Sequence, residues 1–265
     1  MRLLAGVFAL LALSFAARRA LAQKPEYDFY PEFRNVISLQ IQSANNWSLT
    51  AEQVLERYAD RLRSQGVTES EIARRIKLIR TEREALDADW YNRYYLDPKS
   101  NFNHAPNQFL AEVVRGLKPG TALDYGMGEG RNSLYLAGLG WQVWGFDPAG
   151  AGVALAQSRA KALGLTLHAE AVRDRDYDFG KDKFDLVVFS WTMPLVPLQK
   201  VVDSLKPGGI VVTECGREFY GGPNGILHKF DALEITRYEM VRAKADFADR
   251  REMDVFRLVA RKPLE

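Results

Sequence analysis

The chain has 265 residues, of which 47% are hydrophobic, enough to bury the core of one domain with appendages. Its 36 basic and 34 acidic residues nearly cancel, and no long basic run marks a nucleic-acid-binding stripe. A single cysteine, Cys215, excludes an internal disulfide, and His104, His168 and His228 stand apart, so no metal-ligand cluster is expected.

The chain opens with Met1-Arg2, an apolar run from Leu3 to Phe15, and Ala20-Leu21-Ala22 before Gln23. A charged start, a run too short to span a bilayer comfortably and an A-x-A sequence predict a secretory signal peptide over 1–22, cleaved after Ala22. The expected location is therefore secreted or periplasmic. Arg18 and Arg19 are unusual there, which keeps two alternatives open: an uncleaved membrane-associated helix, the only membrane contact expected, and a cytoplasmic enzyme with a misassigned start. Removing Arg2, Arg18 and Arg19 with the leader turns the net charge from +2 to about −1. Asn46-Trp47-Ser48 is a formal glycosylation sequon.

Residues 23–100 are expected to form a helical N-terminal cap. Residues 24 to about 48 carry Tyr27, Phe29, Tyr30, Phe33 and Trp47 without a clear period. Thr50-Ala51-Glu52-Gln53 and Thr68-Glu69-Ser70-Glu71 each read as a capping box that opens a helix. The first helix places Val54, Leu55, Tyr58 and Leu62 on one stripe and ends at Gly66; the second places Ile72, Ile76 and Ile79 on its stripe and Arg74, Arg75, Lys77 and Arg80 on its wet side. Together they predict a helical hairpin packed on, or covering, the domain over 101–265.

The most informative stretch runs from Asp124 to Asn132. A short apolar strand, Thr121 to Leu123, meets Asp124 and then Gly126, Gly128 and Gly130, before a helix over Asn132–Gly138. Glycines let backbone turn sharply and approach a bulky ligand, and a helix N-terminus favours a negative group. A second strand, Trp141 to Phe146, ends in Asp147, an acid placed to accept ribose hydroxyls. A nucleoside site follows. The G-x-G-x-x-G dinucleotide fingerprint fails in this register, because its last glycine falls on Arg131. A nicotinamide-dependent oxidoreductase is thus the weaker alternative.

The spacing from Asp124 through Gly130 resembles the first motif of the class I S-adenosylmethionine-dependent methyltransferases. The resemblance extends from about Asp89 to Lys262. It covers an expected third strand over Leu165–Val172, a fourth over Phe184–Phe189 with Ser190, Trp191 and Thr192 at its end, the turn Leu205-Lys206-Pro207-Gly208-Gly209 into a fifth over Ile210–Thr213, and two alternating runs, Glu234–Phe247 and Val255–Arg261, as a closing antiparallel pair. The phrase from Gly130 to Ala137 narrows it toward tellurite-resistance and thiopurine-type small-molecule methyltransferases. The implied fold is a doubly wound, mostly parallel seven-stranded sheet with helices on both faces, Rossmann-like, under an N-terminal helical cap.

The implied cofactor is S-adenosyl-L-methionine, held by Asp124 near its methionine end, the loop of Gly126, Gly128 and Gly130 with Asn132, Asp147 at the ribose and Asp174 at the adenine, with Pro148, Ser190 and Trp191 as further contacts. In the resembled families an aromatic segment before the first strand folds over the methionine part, which nominates Trp90, Tyr94 and Asn107. The implied reaction is methyl transfer to a small-molecule S, O or N acceptor, with no nucleic acid and no catalytic base assigned. Tyr30, His104, Trp191 and His228 are candidates for lining the acceptor side. An exported cofactor-binding module without catalysis is the other alternative, and Cys215, following strand five, is expected to be a small, partly buried residue.

Overall fold

A computed structural model describes residues 25–43, 51–192, 194–216, 225–247 and 252–264, the backbone alone for 37–43 and 51. The expected leader and the sequon lie outside the described residues. Among the described residues, no helix is long and apolar enough to cross a membrane.

The cap contains more helix than the hairpin expected from its capping boxes. A 3-10 turn at Pro25–Tyr27 leads into α1 (Tyr30–Ser43), followed by α2 (Ala51–Ser64), α3 (Glu69–Thr81) and α4 (Arg83–Leu96). The Thr68 box works as one half only: Thr68 Oγ1 accepts from the Glu71 amide at 3.4 Å, while the Glu71 carboxylate turns to Arg74 and Arg75. Those guanidinium groups hold Glu71 down at a pKa of about 2. The arginines of the basic stripe of α3 are therefore paired within the cap, Arg75 also reaching Glu32 and Arg80 reaching Glu52. Tyr27, Phe29, Tyr30, Phe33 and Val36 join Tyr58, Leu62, Ile72, Ile79 and Leu86 in a core belonging to the cap alone. The aromatic segment that lacks a clear period thus folds as a 3-10 turn and a helix because its neighbours in space supply the apolar face.

The rest is one seven-stranded sheet in the order β3-β2-β1-β4-β5-β7-β6. Its strands are β1 (Thr121–Tyr125), β2 (Gln142–Phe146), β3 (His168–Glu170), β4 (Phe184–Ser190), β5 (Leu205–Gly216), β6 (Glu234–Lys244) and β7 (Glu252–Arg261). Strands one to five pair in parallel, and β7 runs antiparallel between β5 and β6. The expected third strand shrinks to three residues, and the fifth grows to twelve, placing the fully buried Cys215 inside β5 rather than after it. Among the described residues, α6 (Arg131–Gly138), α7 (Gly150–Leu163), α8 (Leu198–Ser204) and α9 (Gly225–Lys229) join these strands, and α5 (Gln108–Val113) precedes β1. Separate apolar clusters fill the two faces of the sheet, one around Phe184, Phe189 and Phe256, the other around Phe109, Leu136 and Val212. Chain order reverses between β1 and β4, where a sheet of this type opens its crevice at the carboxyl ends.

Candidate active site

The glycine loop sits at that reversal. Gly126, Gly128 and Gly130 take φ of 64°, 54° and 78°, a region open to glycine at little cost. A Cβ on Gly130 would approach the Ala156 Cβ to 2.7 Å, so this glycine lets α6 start hard against α7. A Cβ on Gly126 would meet Thr192 Oγ1 at 2.9 Å, and one on Gly128 would collide with the Tyr95 hydroxyl. Tyr95, the last aromatic of α4, is buried between Gly128 and Gly152, and burial pushes its phenol well above the ordinary value. Beside it Asn92 Oδ1 accepts from the Ala151 amide at 2.8 Å, tying α4 to the first turn of α7.

Two carboxylates flank the loop. Asp124, at the end of β1 and 2% exposed, accepts from Ser133 Oγ at 2.6 Å. Asp147, just past β2, accepts from the Gly128 amide at 2.9 Å and the Ala149 amide at 2.8 Å. Burial raises both from 3.8 to about 6, against the pull of these donors. A carboxylate offers roughly four acceptor positions. The amides of Gly128 and Ala149 use two of those of Asp147, leaving capacity for hydroxyl donors. The chemistry of the loop and its acids fits a nucleoside with a free ribose diol.

The other expected site residues distribute unevenly. Asp174, 7% exposed, receives the Tyr125 hydroxyl and, at 2.8 Å, the Leu195 amide. Pro148 is exposed. Asn132 Oδ1 accepts from the Asn107 amide at 2.8 Å, and Asn107 caps α5 by accepting from Leu110. Asn107 then extends its amide group to Glu214 Oε1 at 2.6 Å and Asp246 Oδ2 at 2.8 Å. Trp90 stacks on Tyr94 with centroids 5.0 Å apart and carries the Arg34 guanidinium 4.1 Å from its ring, while the Tyr94 hydroxyl bonds Asn101. The aromatic segment does reach the loop, through Tyr95 rather than Trp90 or Tyr94: on a helix the residue facing α7 with Asn92 lies three positions on.

Beyond the loop lies a polar cluster, at the ends of β4 and β5, that sequence reasoning left unassembled. Trp191 adopts φ 58°, a rare backbone state for a bulky residue and one that gathers at functional sites. Its indole Nε1 donates to Asp246 Oδ1 at 2.7 Å. Arg131, 6% exposed, donates to the same oxygen at 2.9 Å and to Ser190 Oγ at 3.2 Å. Glu214, on β5, pairs with Arg257 at 2.7 Å, and burial raises its carboxyl pKa. His104 contacts Glu129, which also pairs with Arg159 at 3.0 Å. Tyr30 is buried in the cap core, bonded to Asp87 at 2.8 Å, and His228 is exposed beside Asp231, so neither lines this cluster. Asp246 and Glu214 carried no motif; their partners come from distant parts of the chain.

Sheet order, antiparallel closing pair and glycine loop together define the class I S-adenosylmethionine-dependent methyltransferase fold. Residues 122–209 match the family described as a methyltransferase domain, and this part of the chain is such a domain, with S-adenosylmethionine as its methyl donor. No curated protein matches the chain. Among solved structures, an S-adenosylmethionine-dependent methyltransferase from Methanosarcina mazei is 19% identical, with 58% of this chain and 98% of that one covered and a TM-score of 0.50. TehB from Haemophilus influenzae is 18% identical over 66% of each chain, also at 0.50. The [4+2]-cyclase SpnF is 17% identical over 69% of this chain and 97% of its own, at 0.55. These likenesses are likenesses of fold, and the cyclase among them shows that the fold hosts more than one chemistry.

Proposed function

We propose that this protein transfers the methyl group of S-adenosylmethionine to a small-molecule nucleophile. The observation that carries the reading is the pair of buried carboxylates, Asp124 and Asp147, set on either side of a glycine loop where the sheet order reverses. Bound S-adenosylmethionine supplies a methyl group already activated by the sulfonium charge. The work left to the chain is to hold, align and exclude water. Asp147 would accept the ribose hydroxyls, Asp124 would lie near the methionine end, and Gly126, Gly128 and Gly130 would let backbone approach the ligand. The Tyr95 hydroxyl must move off Gly128 for that approach, which gives α4 the role of a cover over the nucleoside. Trp191 and Ser190, on the far side of the loop, would border the acceptor.

The near-neutral charge and the absence of a long basic run in the sequence support a small acceptor over a nucleic acid. The apolar run and A-x-A sequence at the N-terminus support export of the mature chain from Gln23 onward; sequencing the N-terminus of material recovered outside the cytoplasm checks it.

Calorimetry with S-adenosylhomocysteine tests the cofactor reading. Wild type is expected to bind and Asp147→Ala to bind about 10–100-fold more weakly, for loss of charge-assisted hydroxyl bonds of about 1.5–3 kcal/mol. Product S-adenosylhomocysteine should then form with members of a panel of thiols, phenols and amines. A protein that binds NADH and gives no heat with S-adenosylhomocysteine would overturn the reading.

A further inference from the structure

Arg131 is a buried cation, and among the described residues its one ion pair is with Asp246. Taking a guanidinium out of water is tolerable only when an anion answers it. The anion here comes from the short turn after β6. Three side-chain donors held by separate parts of the scaffold converge on that carboxylate: Arg131 Nη2 and Trp191 Nε1 on Oδ1 at 2.9 and 2.7 Å, and Asn107 Nδ2 on Oδ2 at 2.8 Å. Arg131 starts α6, Trp191 follows β4, and Asn107 caps α5, so the donors are positioned independently of the turn that carries the acceptor. The neighbouring Phe247 lays its ring against the same indole, with centroids 4.8 Å apart and planes tilted by 34°. One indole thus meets a carboxylate through its N–H and an aromatic ring through its face.

We propose that Arg131, Trp191 and Asn107 form the anchoring site for a carboxylate on the methyl acceptor, that Trp191 stacks on the acceptor's ring, and that Asp246-Phe247 occupies this site in the structure as an internal stand-in. The acceptor class is a small aromatic carboxylate, gripped by its acid while another atom receives the methyl group. This rests on the methyltransferase reading above. The surroundings favour it: Glu214 is already satisfied by Arg257 and Asn107, so once the turn leaves, the unanswered charge of the cluster is the positive charge of Arg131. The site also adjoins the cofactor loop, since Thr192, next to Trp191, packs on Gly126. Bonds from Asn103 to backbone carbonyls of the turn, its main-chain amide to Phe247 O at 2.8 Å and its side-chain Nδ2 to Asp246 O at 2.5 Å, together with Arg131 Nη1 to Asp246 O at 3.1 Å, hold the stand-in.

The test titrates phenylacetate into the full chain saturated with S-adenosylhomocysteine, with acetate and benzyl alcohol as ring-free and charge-free controls. Asp246→Asn, which keeps the turn's shape and removes its charge, is expected to tighten phenylacetate binding about tenfold by removing the internal competitor. Arg131→Gln is expected to weaken it at least tenfold in either background, and neither control should respond. Absence of both effects, or a gain for benzyl alcohol equal to that for phenylacetate, overturns the proposal. Binding of phenylacetate to the free protein that vanishes on saturation with S-adenosylhomocysteine also overturns it, because Arg131 would then serve the cofactor's own carboxylate. No heat with S-adenosylhomocysteine itself would instead be a failure of the cofactor reading, seen in the first titration. If Asp246→Asn unfolds, Phe247→Ala replaces it: freeing the indole face is expected to tighten phenylacetate binding several-fold with acetate unchanged, and no change would overturn the proposal.

Discussion

Gly128 shows how much one hydrogen atom decides. Its φ of 54° and the Tyr95 hydroxyl over its Cα leave no room for a methyl group. Gly128→Ala is expected to destabilise the fold by about 2–4 kcal/mol, combining backbone strain with overpacking. Tyr95→Phe removes the colliding oxygen, so the double variant should be more stable than the two single effects added together, as thermal or urea unfolding would show. Strict additivity would mean the strain is all in the backbone. At the two acids the lever is pH. Burial raises Asp147 and Asp124 from 3.8 to about 6, so between those values the folded protein keeps protons the unfolded chain has released. Their contribution to stability therefore falls as pH rises through that window and levels off above about 6. Hydroxyl donors need the ionised form of Asp147. Affinity for S-adenosylhomocysteine should climb by up to about tenfold per pH unit below 6 and flatten above it. Asp147→Asn should remove that slope, and an unchanged slope in the variant would exclude Asp147 as the group responsible.

Among elements, α4 carries the most consequence. Its first turns send Leu86 into the cap core, and its last turns send Asn92 to the α7 amide of Ala151 and Tyr95 to the loop. Asn92→Ala strands a buried amide and is expected to cost about 1–3 kcal/mol, with faster hydrogen exchange at the start of α7 and the end of α4. Exchange that rises evenly over the whole chain would argue against a local hinge there. The cap of α3 is a smaller matter. Thr68→Ala removes an exposed and rather long bond, so a loss of about 0.5–1 kcal/mol in unfolding free energy is expected.

At the scale of the molecule, the cap has an apolar core of its own, distinct from the two cores on the sheet. Phe33, 1% exposed at the centre of the cap, tests whether the two parts fail together. Phe33→Ala is expected to cost about 3–5 kcal/mol and to open the cap helices to hydrogen exchange while β1, β4 and β5 stay protected. Equal loss of protection in the sheet would show a single cooperative unit.

Local chemistry made the cofactor half of the protein readable from its residues. Alternating glycines after an apolar strand, an acid closing each of the first two strands, and a final alternating pair are short-range patterns, and they led to the sheet and to the loop with its two carboxylates. The capping boxes located α2 and α3 for the same reason. What needed the tertiary structure was everything whose partners lie far along the chain. α1 folds on apolar neighbours from three other helices, and Tyr95, rather than Trp90 or Tyr94, meets the loop because of how α4 is turned against α7. Asp246 finds Arg131 across 115 residues and Asn107 across 139. A lone acid in a turn has no periodicity and no motif, so only the packing that buries Arg131 reveals what that acid answers.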